Sequence, residues 1–302
     1  MADPTRTMLG AAQRTWLFNE FKKPAKWHVL GQQVLMGRMY LPAAVALQLM
    51  TIPEYAKLGG LAQLAQLAQL AGRAQAKDPT LTAAELQFLQ VNIQRLTPEN
   101  LKFLQENVQL LTPEKVAQLQ LPSIPYNLDA WDGYEVERRT ILAEAIKNKI
   151  NLVVLAGDTH NAWANQLTLP AGTDPLDLEL VAGIEFATSS VSSPGFEDPT
   201  YLNLDTPQKV LEAEAGVPQL VKGLRYINMS DRGYMLVTFE AEKITSEWVF
   251  VSTVKEKAYT LLTERGKTMT ANPRQATVNV NLPAVLPEPP AGSNCFGQLT
   301  FC

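Results

Sequence analysis

Ile150–Asn165 reads INLVVLAGDTHNAWAN, and the pattern of this stretch decides the fold class. Leu152, Val153, Val154 and Leu155 form a short unbroken apolar run rich in β-branched residues, which predicts a strand buried on both faces. Ala156 and Gly157 thin the chain out, and Asp158, Thr159, His160 and Asn161 follow at the carboxyl end. An α/β sheet carries its chemistry at that edge, where a rigid strand hands over to an exposed loop. Asp158 and His160 are two apart, so on a still-extended chain their side chains point the same way. A carboxylate and an imidazole converging there suit a metal ion as a pair of ligands. They also suit a strand-end turn beside a surface histidine, and the spacing alone leaves both readings open.

Upstream of the strand, Val136 to Ile146 places apolar residues at Ile141, Leu142, Ala145 and Ile146, the period of a helix. Asp132-Gly133 before it is a turn signal. A helix feeding directly into a buried strand is the α-to-β step of α/β proteins. Nearer the start, Met8 to Phe21 has helical spacing and stops at Lys23-Pro24. Trp27, Val29 and Leu30 then predict a strand ending at Gly31, with Gln32 and Gln33 at its end and His28 turned away from the apolar residues. Downstream, Ile184 to Ser190 is strand-like and runs into the loop SSVSSPG. Leu202 to Val221 reads as helix and loop interrupted by Pro207 and Pro218. Alternation at Met235, Val237 and Phe239, and again at Ile244, Trp248, Phe250 and Val251, predicts a β-hairpin with one bulge.

The character changes between Ile52 and about Pro122. Leu61, Leu64, Leu67 and Leu70 recur every third residue in a helix-favouring Ala/Gln background. A unit of 15 residues then starts at Leu81, Leu96 and Leu111. Thr82, Thr97 and Thr112 are natural N-caps, Pro98 and Pro113 suit the first helical position, and Glu85, Glu99 and Glu114 fall in the positive first turn. Three short helices with tight turns are expected, packed on or capping a host domain.

Composition narrows the function classes. A net charge of −4 carries no basic field for nucleic acid. No apolar run reaches the ~20 residues of a membrane span. MADPTRTMLG lacks the apolar core of a signal peptide. Cys295 and Cys302, near the C-terminus, are the only cysteines, so a structural zinc site is not expected.

Six collinear blocks resemble the alkaline phosphatase D (PhoD-like) family of metallophosphoesterases: MLGAAQRTWL, WHVLGQQVLM, YNLDAWDGYEVER, LVVLAGDTHNAWAN, EFATSSVSSPG and RGYMLVTFEAEKITSEWVFVSTV. The resemblance covers roughly residues 5–51 and 121–254. It implies a calcineurin-like α/β architecture, two β-sheets flanked by helices, incomplete at the N-terminus. The expected layout is a phosphatase domain over 1–255 interrupted by a helical insertion at 52–121, then a Pro-rich tail over 256–302 with an extended course from Asn272 to Pro290. The implied activity is hydrolysis of small phosphate esters with iron and calcium as cofactors, and the family is typically periplasmic or secreted. By motif match Asp158 and His160 correspond to metal ligands. Asn161 lies beside them within reach of phosphate, Asp132 is a candidate for the site rim or a plain turn former, and Arg225 and Arg232 are further candidates for phosphate contact. Family members carry additional ligands in an N-terminal half ahead of the first block, so three expectations stand: a fragment or truncated member of a longer protein, a chain that takes its N-terminal half from another chain, or a degenerate, non-catalytic remnant. The competing reading is a non-catalytic interaction protein that binds through the leucine-rich helices.

Overall fold

The structure, a computed structural model, describes residues 3–170, 179–196, 204–221, 223–272 and 280–281. In chain order its elements begin with α1 (Gly10–Phe21), β1 (His28–Gly31), β2 (Tyr40–Pro42) and α2 (Ala43–Ala46). A helical run follows: α3 (Ile52–Gln75), α4 (Ala83–Asn92), α5 (Pro98–Asn107) and α6 (Pro113–Leu119). Next come β3 (Ser123–Pro125), α7 (Glu135–Lys147), β4 (Leu152–Ala156), β5 (Ala162–Pro170) and β6 (Glu179–Ala187). The chain continues through α8 (Pro207–Leu220), β7 (Leu224–Asn228), β8 (Arg232–Phe239), β9 (Ile244–Val251), β10 (Lys267–Ala271) and β11 (Val280–Asn281). None of the described helices is long and apolar enough to cross a membrane.

The chain divides into two compact units, one built from residues 1–40 and 125–302 and the other from 41–124. The first holds a five-stranded sheet in the order β1-β4-β6-β5-β7 and a four-stranded sheet in the order β11-β10-β9-β8. The run Leu152–Val154 shows how its layers assemble. Leu152 and Val154 pack with Leu17, Phe21, Ile141, Leu142 and Ala145 of α1 and α7. Val153, pointing the other way, joins Ile184 and Phe186 against Ile244, Trp248, Phe250 and Met269 of the second sheet. The strand is therefore buried on both faces because helices cover one side and a second sheet the other.

Long-range contacts adjust several sequence expectations. Helix α1 begins at Gly10 rather than Met8 and has no side-chain cap of its own. Glu137 of α7, 1% exposed, accepts from the backbone nitrogens of Met8 at 2.5 Å and Leu9 at 3.0 Å and so caps it from outside. His28 is half-buried against the Phe21 ring at 6.1 Å, whereas Val29, on the opposite face of β1, is the exposed residue. The hairpin of β8 and β9 pairs from Arg232 with Val251 through Phe239 with Ile244 without a register shift, so the expected bulge is absent. Pro207 starts α8, behind an N-cap at Thr206, instead of interrupting a helix, and Pro218 falls in the last turn. The second sheet continues through β10 into the segment read as a tail, pairing Lys267 with Trp248. Cys295, Cys302 and most of Asn272–Pro290 lie outside the described residues.

In the second unit α3 runs unbroken for 24 residues, with Leu58, Leu61, Leu64, Leu67 and Leu70 buried. Each expected N-cap forms: the Thr82, Thr97 and Thr112 hydroxyls accept from the backbones of Glu85, Asn100 and Lys115 at 3.2, 3.2 and 3.3 Å. Thr82 and Glu85 complete a reciprocal capping box. The unit starts at Leu41, earlier than the Ile52 expected, because α2 belongs to it: Ala44 packs with Met50 and Leu58.

Candidate functional site

Three parallel strands end side by side. Gly31 pairs with Leu155 and Ala156 with Ala187, which sets the carboxyl ends of β1, β4 and β6 at one edge. Antiparallel pairing of Trp163 with Ala187 and of Ala162 with Asn228 brings the start of β5 and the end of β7 to the same edge. The loops 32–39, 157–161, 188–196 and 229–231 therefore converge there.

The GDTH segment is a turn, which corrects the extended-chain premise for Asp158 and His160. The backbone nitrogens of Gly157 and Asp158 both donate to the Gln33 carbonyl, at 3.1 and 3.0 Å, and that of His160 donates to Gly157 at 3.2 Å. His160 has φ +63°, a left-handed conformation uncommon for a residue with a side chain. Such backbone strain persists only where the surroundings enforce it. Here the His160 carbonyl accepts from the Ser190 nitrogen at 3.1 Å, and the ring Nδ1 lies 3.0 Å from the Pro194 carbonyl oxygen. A carbonyl can only accept, so Nδ1 is the ring nitrogen that donates, and in a neutral ring Nε2 is then the one left with a lone pair. That second hydrogen bond is the usual way a ligating imidazole is oriented. Asp158, on the same turn, is exposed. Among the described residues no group of three or more His, Cys, Asp or Glu side chains gathers to hold a metal ion.

The other candidates are placed differently. Asn161 is 1% exposed, and its Nδ2 donates to the Met229 carbonyl at 2.6 Å, fastening the turn to the end of β7. Asp132 is 2% exposed, so it is not at a rim; it sits in the short 3-10 turn Trp131–Tyr134 and accepts from the Met39 nitrogen at 2.9 Å. Burial pushes its carboxyl up to about 6, against the opposing pull of the Met39 N–H and the Arg138 charge. Arg232, at the same edge, donates to the Ser230 carbonyl at 2.6 Å. Arg225 lies toward the far end of β7 and donates to the Gln166 side chain.

Sequence reasoning missed the residues that hold the Met36–Met39 loop. Glu185, near the carboxyl end of β6 and fully buried, accepts from the nitrogens of Met36 at 2.6 Å and Gly37 at 2.8 Å and from Asn165 Nδ2 at 2.9 Å. Arg138, 1% exposed, donates from Nε to the Met36 carbonyl at 2.5 Å. Desolvation raises the Glu185 pKa and lowers that of Arg138. The only signal available was a lone carboxylate inside the apolar run IEFA.

Alkaline phosphatase D of Bacillus subtilis (strain 168) is 39% identical over 75 residues, which is 23% of this chain and 12% of that protein. A solved structure of PhoD superposes with a TM-score of 0.51 at 17% identity, over 94% of this chain and 37% of that one. At that identity the match speaks for the fold, and it agrees with the calcineurin-like α/β class expected from the sequence. The chain spans well under half the length of either relative. A family model described as PhoD-like phosphatase matches residues 1–248, and the chain belongs to that family.

Proposed function

We propose that this chain contributes the Asp158–His160 side of a site that hydrolyses small phosphate esters with the help of bound iron and calcium. The observation that carries it is the His160 ring, held through Nδ1 by the Pro194 carbonyl, on the same turn as the exposed Asp158 carboxylate. Membership of the family favours this reading over an interaction protein working through the helical unit. The donor chemistry fits a cation in part: one carboxylate oxygen and one imidazole nitrogen, with no third ligand brought to them among the described residues. A cation bound there supplies charge to polarise a phosphoryl oxygen and acidify a water. This chain's own part is to keep Asp158 and His160 fixed relative to the sheet edge. The Gln33 carbonyl, Ser190 and Pro194 do so from two neighbouring loops. The remaining donors come from polypeptide outside the described residues, an N-terminal half carried by a second chain being the partner we propose.

The test measures metal content and hydrolysis of p-nitrophenyl phosphate together. The purified chain is expected to turn the ester over weakly or not at all, and a preparation reconstituted with an N-terminal half to gain activity. His160→Ala is expected to remove one metal and most of that activity. Unchanged metal content in His160→Ala would sink the ligand assignment, and full activity of the chain alone would sink the shared site.

A further inference from the structure

Below the GDTH turn lies a cavity of about 20 Å³ whose lining includes Asp132, Thr159 and Trp163 with the apolar Leu35, Met39 and Phe196. Of the polar residues lining it, which also include Tyr126 and Asn127, these three each carry a buried atom with no hydrogen-bond partner: Asp132 Oδ1, Thr159 Oγ1 and Trp163 Nε1. Asp132 and Trp163 are 2% and 1% exposed as whole residues. Buried polar atoms in native proteins are almost always paired, so orphans on three residues that line one small space call for a partner there.

We propose that the cavity is a binding site for one ordered water, which ties the 131–134 turn to the GDTH turn. The size fits, since a single water needs roughly 10–15 Å³ of such space and two to four polar partners. The chemistry selects among ligands of that size. An indole N–H only donates, a carboxylate only accepts, and a threonine hydroxyl does both. A cation would face the Trp163 N–H dipole, and an anion would face the Asp132 carboxylate. A neutral molecule that donates and accepts satisfies all three atoms. Asp132 already holds the Met39 nitrogen, and Thr159 stands between Asp158 and His160. The water thus links the clamped 36–39 loop to the turn that carries the candidate ligands. The site stands on geometry and does not depend on what the chain hydrolyses.

The experiment uses the full chain, labelled with ¹⁵N and deuterated, and follows the Trp163 indole N–H, assigned by its loss in Trp163→Phe. A direct rotating-frame Overhauser contact between that proton and a slowly exchanging water is expected. Its resonance is expected to move in Thr159→Val, and the Asp158 and His160 amides to exchange roughly fivefold faster, the equivalent of one net hydrogen bond. An indole proton with no contact to water, or one whose resonance is unmoved in Thr159→Val, overturns the site. Should the variants not fold, a crystal structure of the unaltered chain that shows ordered solvent decides. A peak within about 3.2 Å of all three atoms supports the proposal, and an empty cavity overturns it.

Discussion

At Gly133 a Cβ would lie 1.8 Å from the Leu128 carbonyl oxygen, so the WDGY turn closes only around a glycine. Gly133→Ala is therefore expected to cost about 2–4 kcal/mol, the range of severe steric strain, and a shift of the denaturant midpoint measures it. Its neighbour Asp132 carries a pH signature. The folded carboxyl sits at about 6, above its ordinary value of about 4 in the unfolded chain. Between those values the folded state keeps a proton that the unfolded state has released. The contribution of Asp132 to stability is fully present below pH 4 and is lost as pH rises through 6. Two pH units amount to at most about 3 kcal/mol. Asp132→Asn keeps an acceptor for the Met39 N–H and removes the titration. The unfolding free energy of the wild type minus that of Asp132→Asn is thus expected to fall from pH 4 to 7; a flat difference would refute the raised value. At this scale residue types were legible as candidates, but their roles were not. Nothing within a few residues of Asp132 announces that the Met39 nitrogen waits 93 positions away.

Helix α3 shows how an element's pattern is completed by its neighbours. A spacing of three residues retreats about 60° per step around an α-helix, so four leucines cover about half its circumference. A stripe that broad needs more than one partner, and α4, α5 and α6 all pack against α3. Leu67, 1% exposed among Leu70, Leu89 and Phe88, is expected to cost about 2–5 kcal/mol on substitution by alanine. Thr82→Ala, which breaks the capping box of α4, is expected to cost about 1 kcal/mol. Hydrogen exchange resolved to 41–124 checks both: protection there drops, and more for Leu67→Ala than for Thr82→Ala. The caps were legible because threonine, proline and glutamate act on backbone groups one to three residues away. Strands β5 and β7 escaped notice for the opposite reason. AWANQLTLP mixes small and polar residues, and its course follows from pairing with β6 and β7 rather than from its own period.

Over the whole molecule, the first unit is made of two segments whose ends meet. The Tyr126 nitrogen donates to the Met39 carbonyl at 2.9 Å, so the chain leaves and re-enters that unit at one place. Replacing residues 41–124 by a short Gly/Ser linker closes a small gap and removes none of the core residues of the two sheets. The shortened chain is expected to stay soluble, with the near-UV signal of Trp131, Trp163 and Trp248 and slow exchange in β4 and β6. Loss of both would show that the first unit depends on the helices for folding.

By itself the sequence determined the buried strand at Leu152–Ala156, the helix before it, the hairpin of β8 and β9, and the capped helices, because periodicity, capping and turn chemistry act over a few residues. It also marked the sheet edge at which GDTH falls. Only the tertiary structure decided the conformation of that motif, since the Gln33, Ser190 and Pro194 backbones bend Asp158–His160 into a turn. It likewise placed Glu185, Arg138 and Asp132 inside the protein. Each of these side chains is tolerable there because its hydrogen-bond partners arrive from distant parts of the chain.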